Sequence, residues 1–346
     1  MENRPSPQRA GFYRSLPKIE LHRHLEGSLR LVTMAEVART HEMEVGGTDI
    51  LRPLVQIQED EAFTFQNFLA KFGMLRQFFR SPELITRMTR EAIEDAFADN
   101  IRYLELRFTP LALSRAGGFS MSEVMDWVVA ESQKASKEYG ITVRLIASVN
   151  RNESAQVAEA VASLAIDKMG KGIVAMDLAG NEAQFPITPF IGIFNEAKQA
   201  GLHMTIHAGE WGGAGNVAAA IIHMSAERIG HGVRVMEDPA VVALARERAI
   251  PFEVCVTSNY HSGVVSAVNA HPISQMIGIG LNVTINTDDP SICQITLGDE
   301  YQKVREQLGL SLTTLRERVL AAARAAFLPE GERQALISQM EKEFPV

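Results

Sequence analysis

The chain has 346 residues, of which 46% are hydrophobic and 22% charged, the ordinary range of soluble globular proteins. A net charge of −8 with no basic run excludes nucleic acid as the main partner, because nothing would neutralise a line of phosphates. The two cysteines, Cys255 and Cys293, lack paired spacing and exclude both a disulfide framework and a cysteine metal site.

In chain order, residues 1–12 are polar, bear prolines and lack the apolar core of a signal peptide. They are expected to form a loose tail ahead of one domain spanning residues 13–346. Together with two reduced thiols this points to the cytoplasm, and no apolar run approaches the length of a membrane span. The first strand is expected at 19–24. Residues 33–81 exceed one crossover helix and carry Phe63, Phe65, Phe68, Phe72, Phe78 and Phe79, which suggests a helical lid inserted between strands one and two. Ser81-Pro82-Glu83 opens a helix that should run to about Asp99, and a strand follows at 101–109. Ser120 and Glu123 form a capping box whose helix should end at Gly140. Strands are then expected at 141–149 and 173–179, and a helix closing at 196–200 before Gly201. The last strands fall at 202–207, 228–231, 251–256 and 281–287. Eight strands alternating with helices favour a closed (β/α)8 barrel of the TIM type. The competing open sheet would want a Gly-x-Gly-x-x-Gly turn, whereas Gly27, Gly180, Gly209 and Gly232 sit singly after strand ends.

Strand ends carry the chemistry. His22 and His24 lie two apart on one strand, so both imidazoles face the barrel interior, where aliphatics normally pack. His207 ends the fifth strand and Asp288 the eighth, so all four side chains can meet at one mouth. Three histidines and a carboxylate without cysteine suit one Zn²⁺ or a similar divalent ion with a position open for water. Glu210, three residues past His207, can act as a general acid and base beside such an ion; its bland alternative is helix capping. His231, between Gly230 and Gly232, is expected at the mouth as a catalytic group. Asp289 follows Asp288 on a strand and should point to the opposite face, giving the two acids separate roles. His41, His203, His223, His261 and His271 have no such context and are expected to be structural or surface residues.

An ordered set of segments resembles the adenosine deaminase family of metal-dependent hydrolases. The set begins with Pro17-Lys-Ile-Glu-Leu-His-Arg-His-Leu-Glu-Gly27, Phe68-Leu-Ala-Lys-Phe72, Tyr103-Leu-Glu-Leu-Arg-Phe-Thr-Pro110 and Met176-Asp-Leu-Ala-Gly-Asn-Glu182. It continues with His207-Ala-Gly-Glu210, Glu227-Arg-Ile-Gly-His-Gly232, Thr257-Ser-Asn259 and Asn286-Thr-Asp-Asp-Pro290. The resemblance implies hydrolytic deamination at C6 of a purine, with zinc on His22, His24, His207 and Asp288. It implies that Glu210 protonates ring N1, His231 orients the attacking oxygen, and Asp288 helps take the water's proton. Asp289 would meet N7 and the Gly180 N–H would meet N3, with His24 and Glu26 also facing the substrate. Three positions depart from the adenosine pattern: Glu26 replaces an aspartate, Trp211 is unusually bulky, and Ser148-Val-Asn-Arg151 lacks a common cysteine. The expected substrates are adenosine and 2′-deoxyadenosine. The alternatives are adenine, a larger nucleoside such as aminodeoxyfutalosine, or, remotely, a silent purine-binding barrel.

Overall fold

The computed structural model describes residues 7–45 and 47–345. Eight strands form one parallel sheet in chain order. They are β1 (Lys18–His24), β2 (Ile101–Phe108), β3 (Thr142–Asn150), β4 (Ile173–Ala179), β5 (His203–Ala208), β6 (Arg228–His231), β7 (Pro251–Val254) and β8 (Asn282–Ile285). The sheet closes on itself past the end of β8, where Arg23 and Asp288 form a parallel bridge. There the His24 N–H donates to the Asp288 carbonyl at 2.9 Å and the Asp288 N–H to the His22 carbonyl at 2.8 Å. Lower on this seam, side chains replace ladder bonds. The Glu20 carboxylate accepts from the Thr287 N–H (3.1 Å) and hydroxyl (2.7 Å), and Asn286 Oδ1 accepts from the Leu21 N–H (3.0 Å). The result is the expected TIM-type barrel.

Helix α1 (Pro7–Ser15) occupies part of the stretch read from sequence as a tail. Tyr13 and Leu16 are buried, and the Tyr13 hydroxyl lies 3.3 Å from Glu306, which anchors this segment on the helix Leu297–Glu306. Residues 1–6 of the expected tail lie outside the described residues. Between β1 and β2 run α2 (Leu31–Thr40), α3 (Thr48–Val55), α4 (Phe65–Leu75) and α5 (Pro82–Ala98). Helix α5 begins as expected, with the Ser81 hydroxyl accepting from the Leu84 N–H, and Ser120 and Glu123 complete the expected box ahead of the helix Met121–Tyr139. Phe78 and Phe79 are core residues, Phe68 and Phe72 face the barrel mouth, and Phe65 stacks on Trp211 at 5.4 Å.

Strand β7 stops two residues before its expected end at 256, because a helix starts at Val256. The buried Glu300 carboxylate accepts from the N–H groups of both Val256 and Thr257, serving as an anionic cap supplied from far along the chain. Among the described residues no helix is long and apolar enough to cross a membrane.

Inside the barrel, the layer beneath the mouth is ionic where aliphatics normally pack. Glu253 accepts from Arg107 Nη2 (2.8 Å), Arg228 Nε (2.6 Å) and the Thr205 hydroxyl (2.9 Å). Arg107 also reaches Asp177 at 3.3 Å and the Leu21 carbonyl at 2.9 Å, while Arg228 pairs with Glu105. Burial alone would push the Glu253 and Asp177 carboxyls up. Arg228 and Arg107 hold Glu253 well below the usual carboxylate range, and His207 with Arg107 does the same for Asp177.

Candidate active site

The ionic layer supports a ring of histidines. His22 Nδ1 lies 2.7 Å from Glu253 Oε2, and His207 Nδ1 lies 2.9 Å from Asp177 Oδ1. Each carboxylate accepts a hydrogen bond from Nδ1–H, so the neutral ring presents an Nε2 lone pair upward. A carboxylate behind a histidine in this way is the outer shell typical of metal ligands, fixing tautomer and ring orientation. Burial also keeps the His207 imidazole neutral, pushing its pKa down to about 4.

Those lone pairs converge. His22 Nε2 is 3.2 Å and His24 Nε2 3.3 Å from Asp288 Oδ1, and His24 Nε2 is 3.3 Å from His207 Nε2. The four ligand atoms of His22, His24, His207 and Asp288 all lie within 4.8 Å of one another. A divalent ion bound tetrahedrally at about 2.0–2.1 Å holds its ligands roughly 3.3 Å apart, so the spacing fits. His22 Nε2 is buried without a hydrogen-bond partner, as a nitrogen poised for an ion would be. Gly230 makes room for the cluster, since a Cβ there would sit 2.9 Å from His22 Cε1 and 3.3 Å from His207 Cα.

The cluster opens into a cavity of about 330 Å³ that is also lined by Glu26, Gly180, Glu210, His231 and Asp289, within the size range of small-molecule sites. Every residue singled out from sequence for the site, except the wholly buried His22, therefore lines one cavity, and His22 lies directly beneath it. One expectation fails in detail. Asp288 and Asp289 do not face opposite ways, because Asp288 takes a left-handed backbone (φ 65°) and strand alternation breaks there. His231 is left-handed too, at φ 58°. Such strain costs on the order of 1–3 kcal/mol per residue and collects at functional sites.

Glu210 lies in the turn between β5 and the helix Ala214–His223, not in a helix cap. Its turn is built on the buried Glu182 carboxylate, which accepts from the N–H groups of Gly209 (2.9 Å), Glu210 (2.6 Å) and Trp211 (2.8 Å). Burial, then Asp288, then Glu182 push the Glu210 carboxyl well above the usual range, which favours its acid form. Asp289 is also pushed well above the usual range, by burial first and then by the neighbouring acidic groups Asp288, Glu26 and Glu210. Its Oδ1, buried without a partner, occupies the space a Cβ on Gly27 would need, only 1.8 Å away. Glu26 uses Oε1 to accept from the Thr109 N–H at 3.2 Å and leaves Oε2 buried and unpartnered. Asp288 divides its oxygens, with Oδ1 toward the histidines and Oδ2 accepting from the Ser258 hydroxyl at 2.6 Å. Over the cavity, α4 presents Phe68, Leu69 and Phe72.

Sequence reasoning missed the supporting residues. Asp177 and Glu253 each interrupt an apolar strand, which is a usable signal, but Glu182 stands in a turn with nothing to mark it. The cavity can thus offer two carboxyls pushed toward the acid form, one unpartnered Glu26 oxygen and a metal cradle to a flat polar molecule.

A family profile described as Adenosine deaminase matches residues 17–343. An adenosine deaminase of Klebsiella pneumoniae is 36% identical over 331 residues, covering 95% of this chain and 98% of that relative. Among solved structures, an adenine deaminase of Arthrobacter aurescens superposes with a TM-score of 0.87 at 27% identity, covering 94% of this chain and 98% of the other. The Arabidopsis N6-mAMP deaminase gives a TM-score of 0.86 at 28% identity, covering 96% and 99%. Its metal cradle and carboxyl donors agree with that relationship: the chain belongs to the adenosine deaminase family and is a hydrolytic deaminase.

Proposed function

We propose that the protein deaminates adenosine and 2′-deoxyadenosine to inosine and deoxyinosine, with zinc on His22, His24, His207 and Asp288. The observation that carries this reading is geometric: in one cavity the His22, His24, His207 and Asp288 cluster meets Glu210 and Asp289, two carboxyls that burial and like charges push upward, and one Glu26 oxygen left unpartnered. Zinc bound there would lower the pKa of a water toward neutrality and supply hydroxide.

The side chains do the rest. Glu210 donates its proton to ring N1, which draws electrons from C6 and opens it to attack. Asp289, held neutral, donates to N7, and the Gly180 N–H donates to N3. These three contacts span the purine and fix C6 against the mouth. His231 donates toward the attacking oxygen, Asp288 helps take the water's proton, and the C6–N bond breaks as the amine takes up that proton and leaves as ammonia. Helix α4, with Phe68 and Phe72, acts as the lid that keeps bulk water from the reacting face.

The free Oε2 of Glu26 supports the nucleoside reading, because it can accept from a ribose hydroxyl. A hydrogen bond to a charged acceptor contributes about 1.5–3 kcal/mol, roughly 10- to 150-fold. Adenosine is therefore expected to exceed adenine in kcat/KM, and Glu26→Ala should narrow the gap by lowering the nucleoside value. The test is ammonia release from adenosine, 2′-deoxyadenosine, adenine and aminodeoxyfutalosine side by side. A win for adenine would make Glu26 a mark of base recognition and overturn the substrate assignment.

A further inference from the structure

His271 has no place in the chemistry above, and its sequence context offers none. It is buried, and the Ile273 N–H donates to its Nδ1 at 3.1 Å. A backbone amide can only donate, so Nδ1 must hold a lone pair and the proton of the neutral ring must lie on Nε2. Burial keeps the ring neutral, pushing its pKa down to about 3. Nε2 lies 3.2 Å from Asn259 Oδ1 and donates to it. With its oxygen thus engaged, the Asn259 amide has a single orientation, and its Nδ2 donates to His231 Nδ1 at 3.1 Å. The same reasoning applies once more. His231 accepts at Nδ1, so it carries its proton on Nε2, the nitrogen 3.7 Å from Glu210 Oε2 and 4.0 Å from Asp288 Oδ2.

The chain is ordered along its whole length. Asn259 is fully buried in the short helix Val256–His261, and its own N–H donates to the Cys255 carbonyl at 2.9 Å. No member faces a choice of partner: the fixed direction of one backbone N–H propagates through an imidazole and an amide to a second imidazole.

We propose that Asn259 and His271 are positioning residues that lock His231 in its Nε2–H tautomer, making it a hydrogen-bond donor into the cavity. This rests on the deaminase reading, in which His231 must donate to the attacking oxygen. A His231 protonated at Nδ1 would meet that oxygen with a lone pair instead.

Asn259→Asp tests it with almost no change of shape. The carboxylate still accepts from His271, but it now faces His231 Nδ1 with an acceptor and draws the proton to that side. Metal-loaded enzyme labelled with ¹⁵N-histidine reports tautomers directly through long-range proton–nitrogen correlations. The parent should show both His231 and His271 in the Nε2–H form, and the variant should show His231 switched to Nδ1–H. Turnover should fall by ~10²–10⁴-fold, the range of a mis-set catalytic tautomer, with KM and metal content little changed. His271→Gln, which keeps a donor near the Nε2 position, should retain most turnover, whereas His271→Leu should lose it. A parent His231 protonated at Nδ1, or an Asn259→Asp enzyme with parental kcat, would overturn the proposal. If the parent releases ammonia from no 6-aminopurine, the deaminase reading fails while the tautomer spectrum still decides the relay.

Discussion

Glu210 and Asp288 are buried carboxyls lining the same cavity, yet their neighbours drive them apart. Burial pushes both up; around Asp288 the neighbouring His231, His22 and His24 outweigh it and push the group well below the usual range, while the Asp288 and Glu182 carboxylates add to burial around Glu210 and push it well above. Opposite shifts of this kind suit the division proposed above, with Glu210 as acid and Asp288 as ligand and base. Glu210→Gln preserves shape and removes the transferable proton. Metal analysis should find the ion retained while turnover falls by about 10² or more. Because the acid form is the active one and its pKa is raised, parental activity should decline as pH rises through that value, and the residual activity of the Gln variant should lack this alkaline limb. Near-parental turnover with metal bound would place the acid elsewhere. The convergence of these residues was legible at residue level, since His22, His24 and His207 lie near strand ends and Glu210 just past one. The joint facing of Asp288 and Asp289 was not, because a left-handed residue inside a β-branched run leaves no local signature.

At the level of strands, the mouth rests on charges contributed by β2, β4, β6 and β7. Tyr103-Leu-Glu-Leu-Arg-Phe108 reads as an alternating strand with Glu105 and Arg107 on one face. No single strand reveals that this face is the barrel interior, because the partners Asp177, Arg228 and Glu253 arrive on three others. Strand ends were obscured for a similar reason, as with Glu300 capping the segment after β7. Arg107 bridges two carboxylates that in turn orient the two histidines, His22 and His207. Arg107→Met fills similar volume but leaves Asp177 and Glu253 with one counter-charge fewer in a dry interior. Removing one partner of a buried ion pair costs about 3–5 kcal/mol. Urea denaturation of the metal-loaded variant should show that loss as a lower midpoint. An unchanged midpoint would mean that Arg228 and the histidines already balance both acids.

For the whole molecule, the alternation of eight strands with helices made the barrel legible, but the way it closes was not. Closure depends on a seam where Glu20 and Asn286 side chains substitute for ladder bonds and only the segment around Asp288 pairs backbone to backbone with β1. The proposed metal ligands straddle that seam, with His22 and His24 on β1, Asp288 beyond β8 and His207 across the mouth on β5. An ion held by all four ties the first strand to the last. It should therefore stabilise the fold as well as serve the chemistry, because a ligand that binds only the folded state adds about 2.7 kcal/mol at a hundredfold excess over its Kd. For a chain of 346 residues that corresponds to a Tm shift of roughly 4 °C. Thermal melts of the same preparation before chelation, after it and after return of zinc should fall and then recover by that amount, with elemental analysis recording about one ion per chain lost and regained. A Tm that does not move when the ion is shown to leave would mean that the seam is closed by β1 and the segment past β8 alone, and that the metal serves only the reaction.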